Sequence, residues 1–448
     1  MSEASADALT RHYESLQSKW HVVDRSADYS RLVVPTGNNV EPIHRWFHLK
    51  EAYSNQLLRR VVKDAGLQTE DGFAVFDPFA GSGTTLVSAI ALSEEFGIDA
   101  HAVGVERNPF LYLLGKTKAS ARLKGSKLVK PLATQLVAVS KAYRELQAVR
   151  VEIPPSATLA NEKYFSPGNI GSLLRLRMAI DNASAGIIRD IFRVCLGSAV
   201  EPASMLRRDG RALRFEANRK PRDPWDSFTS AVEIVAEDLK GITSVRGSAS
   251  VKYGDGRVPH KYLKEDAKFD LIVFSPPYPN NIDYTEVYKT EAWVLGCYEN
   301  SLDMRKQRLS TVRSHPSVRF DETYLYRGLP LERKFDRIVD PIIASIPDDA
   351  RYRVGRQQIV RGYADDMLQV LINCRRLAAD GSQLVFIVGN SVHGSESDSF
   401  IIAADVMMGA LSELAGWRVE EVRVARHLRR RGATSHLLRE SAVALRPV

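Results

Sequence analysis

Residues 73–96 read FAVFDPFAGSGTTLVSAIALSEEF, and this stretch decides the fold. A short apolar run, Phe73 to Phe76, is followed by a glycine-bearing turn and then by a helix-forming segment from Leu86 to Phe96. Together they make one β-α unit. Downstream, a second strand reads HAVGVE (101–106), and Asn108-Pro109 opens another helix. Strands alternating with helices argue for a parallel sheet covered by helices. Upstream, WFHLKEAYSNQLLRRVV (46–62) has the spacing of an amphipathic helix. Residues 1–42 form an arm, which reads as irregular.

Further along, residues about 125–245 read as mostly helical, broken at Pro154-Pro155 and near PRDPW. Within them, RRDGRALRFEANRKPR (207–222) is densely basic and reads as a loop or hairpin. Strand patterns return at Ala249–Tyr253 and in FDLIVF (269–274). Residues about 300–360 are basic and irregular. The end is α/β again: a helix over Tyr363–Leu377, a turn at Asp380-Gly381, a strand in QLVFIVG, then WRVEEVRVA and SAVALRP as a closing antiparallel pair. The resulting expectation is a catalytic sheet in three parts (43–124, 246–299 and 361–448). Two insertions interrupt it, 125–245 and 300–360.

The loop Asp77-Pro78-Phe79-Ala80-Gly81-Ser82-Gly83-Thr84-Thr85 lies between strand and helix. Glycines let backbone approach a ligand, and the helix N-terminus offers free N–H groups. A phosphate-binding P-loop needs Gly-Lys-Ser/Thr at its end, and no lysine follows Gly83. A dinucleotide fingerprint needs a third glycine where Leu86 stands. Glu106 ends the next strand, where a carboxylate can accept hydrogen bonds from ribose hydroxyls. A ribose without a cradled pyrophosphate fits a nucleoside cofactor.

Ser275-Pro276-Pro277-Tyr278 directly follows FDLIVF. Proline cannot donate to a ladder, so the strand stops there, and two prolines stiffen the turn. The rim lies at the C-terminal end of a strand, where open α/β sheets bind ligands. A serine hydroxyl and a turn carbonyl can accept the hydrogens of an exocyclic amine. That stabilises positive charge developing on its nitrogen. Tyr278 offers a flat face to an extruded base. Asp255, in YGDGRV, is placed for the amino group of a cofactor adenine.

Composition sets the frame. The 448 residues carry a net charge of +8 with pI near 9.2, which favours a polyanionic partner through counterion release. No apolar run approaches the roughly 18–20 residues that span a bilayer. The polar start MSEASADALTRHYESLQSKW has no secretory h-region. Cys195, Cys297 and Cys374 show no C-x-x-C spacing, so neither disulfides nor structural zinc is expected, and a cytoplasmic setting fits. His44 and His48 lie about one turn apart with no third ligand, so no metal is expected.

DPFAGSGTT followed by SPPY resembles the paired motifs of the amino-methyltransferases that modify cytosine N4 or adenine N6 in DNA. VGVERNP and YGDGRV resemble that family's second and third motifs. HRWFHLKEAYSNQLL resembles its segment over the methionine end of the cofactor. YADDMLQVLINCRRLAADGSQLVFIVGNS and RRRGATSHLLRESAVAL resemble its later strands. The resemblance covers roughly 43–120, 249–298 and 362–446. It implies a Rossmann-like sheet, mostly parallel with an antiparallel C-terminal strand, and S-adenosylmethionine as cofactor. Cofactor contacts are implied for Phe47, Ser54, Asp77, Pro78, Phe79, Gly81, Ser82, Gly83, Thr84, Glu106 and Asp255. Ser275, Pro276, Pro277 and Tyr278 are implied to hold the target base.

A serine opening the second motif is more typical of cytosine-N4 enzymes, whereas aspartate or asparagine is more typical of adenine-N6 enzymes. The glycine loop precedes S-P-P-Y here, the reverse of the order in many S-P-P-Y enzymes. The implied partner is double-stranded DNA, with a restriction endonuclease or defence-system subunit as a possible companion. Arg207, Arg208, Arg211, Arg313, Arg429 and Arg430 are candidate duplex contacts. A cytosine-C5 enzyme is excluded, because no cysteine follows a proline. An RNA amino-methyltransferase and a catalytically inactive DNA-binding subunit stay open as alternatives.

Overall fold

Alternating faces of short buried strands build one eight-stranded sheet in this computed structural model. It describes residues 3–67, 72–208, 213–243, 246–280, 282–346, 353–394, 399–429 and 435–448. The strands are β1 (His21–Asp24), β2 (Phe73–Asp77), β3 (Ala100–Glu106), β4 (Ser248–Tyr253), β5 (Phe269–Phe274), β6 (Ala378–Gly389), β7 (Trp417–His427) and β8 (Arg439–Pro447). Their spatial order is β1-β7-β8-β6-β5-β2-β3-β4. Strands β4, β3, β2, β5 and β6 run parallel, and β8 lies antiparallel between β6 and β7. The order in which successive strands are added reverses between β2 and β5. Ligands of open α/β sheets bind in the crevice outside such a switch point.

Neighbouring residues on each strand point to opposite faces. Phe76, Ile272, Phe274, Phe386 and Val388 face helices Glu332–Ala344, Arg353–Leu377 and Ala404–Leu414. Val75, Leu271, Val273, Val385 and Ile387 face Leu57, Val61 and Leu86. A third cluster joins helices Val129–Glu145, Pro167–Ala183, Gly186–Val200 and Pro224–Gly241 to helix Pro109–Lys124. The basic stretch holds an antiparallel hairpin, Leu206–Arg208 with Leu213–Phe215.

Three expectations change. The arm is not irregular: helix Glu3–Gln17 buries Leu9 and Tyr13, and β1 pairs in parallel with β7. Residues 46–62 are not one helix. A 3-10 turn over His44–Trp46 gives way to extended backbone, and only Leu57–Ala65 is helical. Buried Lys118 donates to the carbonyls of His44 (3.0 Å) and Phe47 (3.3 Å), capturing groups a helix would have used. Nor are residues 300–360 irregular, since they carry helices Ser301–Leu309 and Glu332–Ala344. Phe335, Ile338, Val339 and Ile342 form a buried stripe at helical spacing that the surrounding charges conceal.

Candidate active site

Asp77 closes β2 and is buried. One carboxylate oxygen accepts from Phe79 N–H (2.9 Å). The other accepts from the Tyr53 hydroxyl (3.2 Å) and the Thr85 hydroxyl. Burial outweighs these three donors and pushes its pKa up to about 6. Gly83 caps helix Thr84–Phe96 at φ +80°, and a Cβ there would stand 3.0 Å from Gly115 Cα. The loop therefore rests directly on helix Pro109–Lys124. At the end of β3, Glu106 accepts from Gly81 N–H (2.8 Å) and Asn108 N–H (2.7 Å), and burial pushes it up to about 7. Asn108 also caps helix Pro109–Lys124 through its side chain. After β4, Arg257 grips Asp255 (2.7 Å) and is itself anchored on Asp366 (3.0 Å).

The C-terminal ends of β2, β3, β4 and β5 open into one cavity of about 350 Å³. Asp77, Pro78, Phe79, Gly81, Ser82, Thr84, Glu106 and Asp255 line it, and so do Ser275, Pro276, Pro277 and Tyr278. Three expected cofactor contacts stand behind the wall instead. Phe47 is buried against Phe110, with the Arg208 guanidinium 5.0 Å from its ring centre. Ser54 donates to the Thr36 carbonyl at 2.8 Å. Gly83 serves as the helix cap just described.

Ser275 donates to the Tyr278 hydroxyl at 3.1 Å, and Tyr278 donates to Glu440 at 2.9 Å. The Arg426 guanidinium holds the other Glu440 oxygen. Burial, with the Glu440 charge beside it, raises the Tyr278 phenol well above its ordinary range. Sequence reasoning missed Glu440 and Arg426, which line the cavity from the distant β7–β8 pair. It also missed Glu51 and Tyr53, because the segment carrying them read as helix. Glu51 takes the Tyr288 hydroxyl on one oxygen. Its other oxygen is buried without a partner, and burial raises its pKa.

Two expected duplex contacts prove to be internal struts. Arg208 is 8% exposed, ion-paired with Glu291 and with Glu201 (3.1 Å). Arg313 is 8% exposed and paired with Asp365 and Asp366, each at 2.8 Å. Neither guanidinium is free for a base edge. Arg207 is exposed beside Glu216 (3.2 Å), and Arg429 is exposed. Arg211 and Arg430 lie outside the described residues. Among the described residues, no three His, Cys, Asp or Glu gather as a metal site would require. No helix there is long and apolar enough to cross a membrane.

The donor set fits a nucleoside cofactor bearing a cation. Glu106 keeps lone pairs free after its two backbone bonds, as ribose hydroxyls require. The unpartnered Glu51 oxygen is a buried acceptor that an ammonium or hydroxyl donor would satisfy.

The strand order and the cavity at its switch point define a Rossmann-like methyltransferase fold. Among known proteins the chain is similar to Type II methyltransferase M.BsoBI of Geobacillus stearothermophilus. The two are 23% identical over 89% of this chain and 83% of that protein. It is likewise similar to Type II methyltransferase M.AvaI of Nostoc sp. and of Anabaena variabilis, 23% identical over 94% of this chain and 89% of theirs. No family model matches. Among solved structures, TrmN from Thermus thermophilus aligns at TM-score 0.26 and 11% identity, over 88% of this chain and 49% of that one. The rRNA methyltransferase AviRa from Streptomyces viridochromogenes aligns at 0.31 and 10%, over 88% and 85%. Scores this low mean that the whole chains do not superpose.

Proposed function

We propose that this chain is a DNA methyltransferase acting on the exocyclic amine of an extruded base, cytosine N4 before adenine N6. The observation that carries the reading is the single cavity. It is lined both by acids suited to a nucleoside, Asp77, Glu106 and Asp255, and by the Ser275–Tyr278 turn. Similarity to Type II methyltransferases supports DNA as the substrate. Ser275 at the head of its motif supports cytosine.

S-adenosylmethionine supplies an electrophilic methyl group when bound. Glu106 then takes the ribose hydroxyls, Asp255 the adenine amine, and the loop from Asp77 to Thr84 the methionine end. Ser275 Oγ and a carbonyl of the proline turn accept the N–H groups of the target amine. Its lone pair is thereby aimed at the methyl, and the charge that grows on nitrogen is stabilised where it forms. The ring of Tyr278 stands beside the base. Exposed Arg207 and Arg429 meet phosphates, in keeping with the net charge of +8. A cytoplasmic setting and a companion nuclease belong to the same reading.

The test incubates the full chain with methyl-tritiated S-adenosylmethionine and either DNA or RNA, then identifies the labelled nucleoside by mass spectrometry. N4-methylcytosine in DNA is the expected product. N6-methyladenine would move the base assignment, label in RNA alone would move the substrate, and no label anywhere would end the proposal.

A further inference from the structure

We propose that Glu440, acting through Tyr278, fixes Ser275 as an acceptor toward the target amine and is the end point for the proton that amine loses. The inference rests on the amine-methylation reading above. It starts from a constraint of direction. An ionised carboxylate can only accept, so the Tyr278 hydroxyl must point its hydrogen at Glu440 (2.9 Å). Its oxygen then accepts from Ser275 (3.1 Å). The Ser275 hydrogen is thereby committed away from the cavity, and its lone pairs face the space where an amine would sit. A lone serine hydroxyl would rotate freely and have no such preference.

The fold holds each member of this chain in place. Glu440 sits between Arg439 and Ser441, both bonded to buried Asp405 at 2.7 Å, and Asn390 reaches the same carboxylate at 2.7 Å. Strand alternation therefore turns Glu440 to the opposite face, toward the cavity. Across the β8–β6 ladder Glu440 is registered with Gly389. A Cβ on Gly389 would stand 3.1 Å from Tyr278 Cε2, so the bare glycine leaves the ring room beside the Glu440 strand pair. Arg426 holds the outer Glu440 oxygen.

The step balances. The N–C bond forms as the cofactor's S–C bond breaks, and the electron pair goes to sulfur. The cationic nitrogen gives one proton to Ser275 Oγ. In concert, Ser275 gives its own proton to the Tyr278 oxygen, and Tyr278 gives its proton to Glu440, which later releases it to solvent. Glu440 touches no reacting atom, so it is a positioning residue and proton store. Ser275 is the catalytic residue it serves.

The test uses the full chain with Glu440→Gln, Glu440→Asp and Tyr278→Phe. Glutamine still accepts the Tyr278 hydrogen bond but cannot take a proton. Single-turnover methylation by E440Q should fall on the order of a hundredfold, with cofactor affinity by calorimetry unchanged. E440D should recover part of the rate, and Y278F should fall at least as far as E440Q. A second readout needs no turnover. In protein labelled with 13Cζ-tyrosine, the Tyr278 signal, identified by its absence in Y278F, should shift in E440Q. E440Q or Y278F at the wild-type rate overturns the relay, as does an unshifted Tyr278 signal. A wild-type chain that methylates no DNA defeats the functional reading instead, and the tyrosine signal then decides whether the hydrogen-bond chain exists.

Discussion

Replacing Asp77 by asparagine should shift relative stability in favour of the variant as pH rises from acid to neutral. Burial raises this carboxyl from 3.8 to about 6. At about 1.4 kcal/mol per pKa unit, ionising Asp77 in the folded protein costs about 3 kcal/mol more than ionising it in the unfolded chain. The sign follows from the direction of the shift. Well below its unfolded value of 3.8 the group is protonated in both states and costs nothing. Stability drains away as pH rises through about 6, and the full cost applies above that. Asparagine never ionises. It can keep the Phe79 N–H bond through its oxygen while its amide faces Tyr53 and Thr85, whose hydroxyls turn to accept. Any cost of that rearrangement is the same at every pH. Equilibrium urea unfolding of both proteins at about pH 3 and about pH 7.5 should show the difference tilting toward D77N by about 3 kcal/mol. A difference that stays flat with pH would show that Asp77 is ionised at no cost, and the account of the loop would be wrong.

Gly83→Val places a side chain on Gly115 at a positive φ, so the loop must shift, and calorimetry should show cofactor binding lost. Ser275→Ala removes an acceptor needed most in the transition state. Single-turnover methylation should drop about a hundredfold with DNA and cofactor affinities intact. Arg208→Ala strands the fully buried Glu291 and should cost about 3–5 kcal/mol in urea unfolding. Arg207→Glu and Arg429→Glu should leave stability alone and weaken DNA binding in a salt-dependent way, as titration at several salt concentrations will show.

The sheet was legible because its strands announce themselves locally. Phe73–Asp77 and Phe269–Phe274 are short apolar runs cut off by a glycine loop and by two prolines, and the structure ends both strands there. The contacts that complete the cavity were not legible. Glu440 reaches Tyr278 only because β8 inserts beside β6, 162 positions along the chain, and no local pattern encodes that pairing. Glu51 and Tyr53 were hidden by a periodicity that suited a helix. Donors from elsewhere, Lys118 to two carbonyls and the Asn38 amide to Tyr53, pull that backbone open. Arg208 and Arg313 looked like surface charge in basic stretches. Their partners Glu291, Asp365 and Asp366 come from segments 52 to 83 positions away, and only the folded chain shows them spent on one another.

The pairing of β1 with β7 also governs the order in which this molecule can assemble. Arg25 and Glu421 meet across 396 positions. Residues 21–24 emerge from the ribosome early and must wait for residues 417–427 before they have a partner. Until then β1 has no sheet edge to pair with, although the helix before it can already meet helices Glu332–Ala344 and Ala404–Leu414. Loop closure over such a span is slow, and segments left exposed meanwhile are open to proteases and chaperones. Refolding followed by pulsed hydrogen exchange should therefore protect β2, β3 and β5 first and β1 last. A bulky fusion placed ahead of residue 3 should slow completion of the fold more than it disturbs the finished active site.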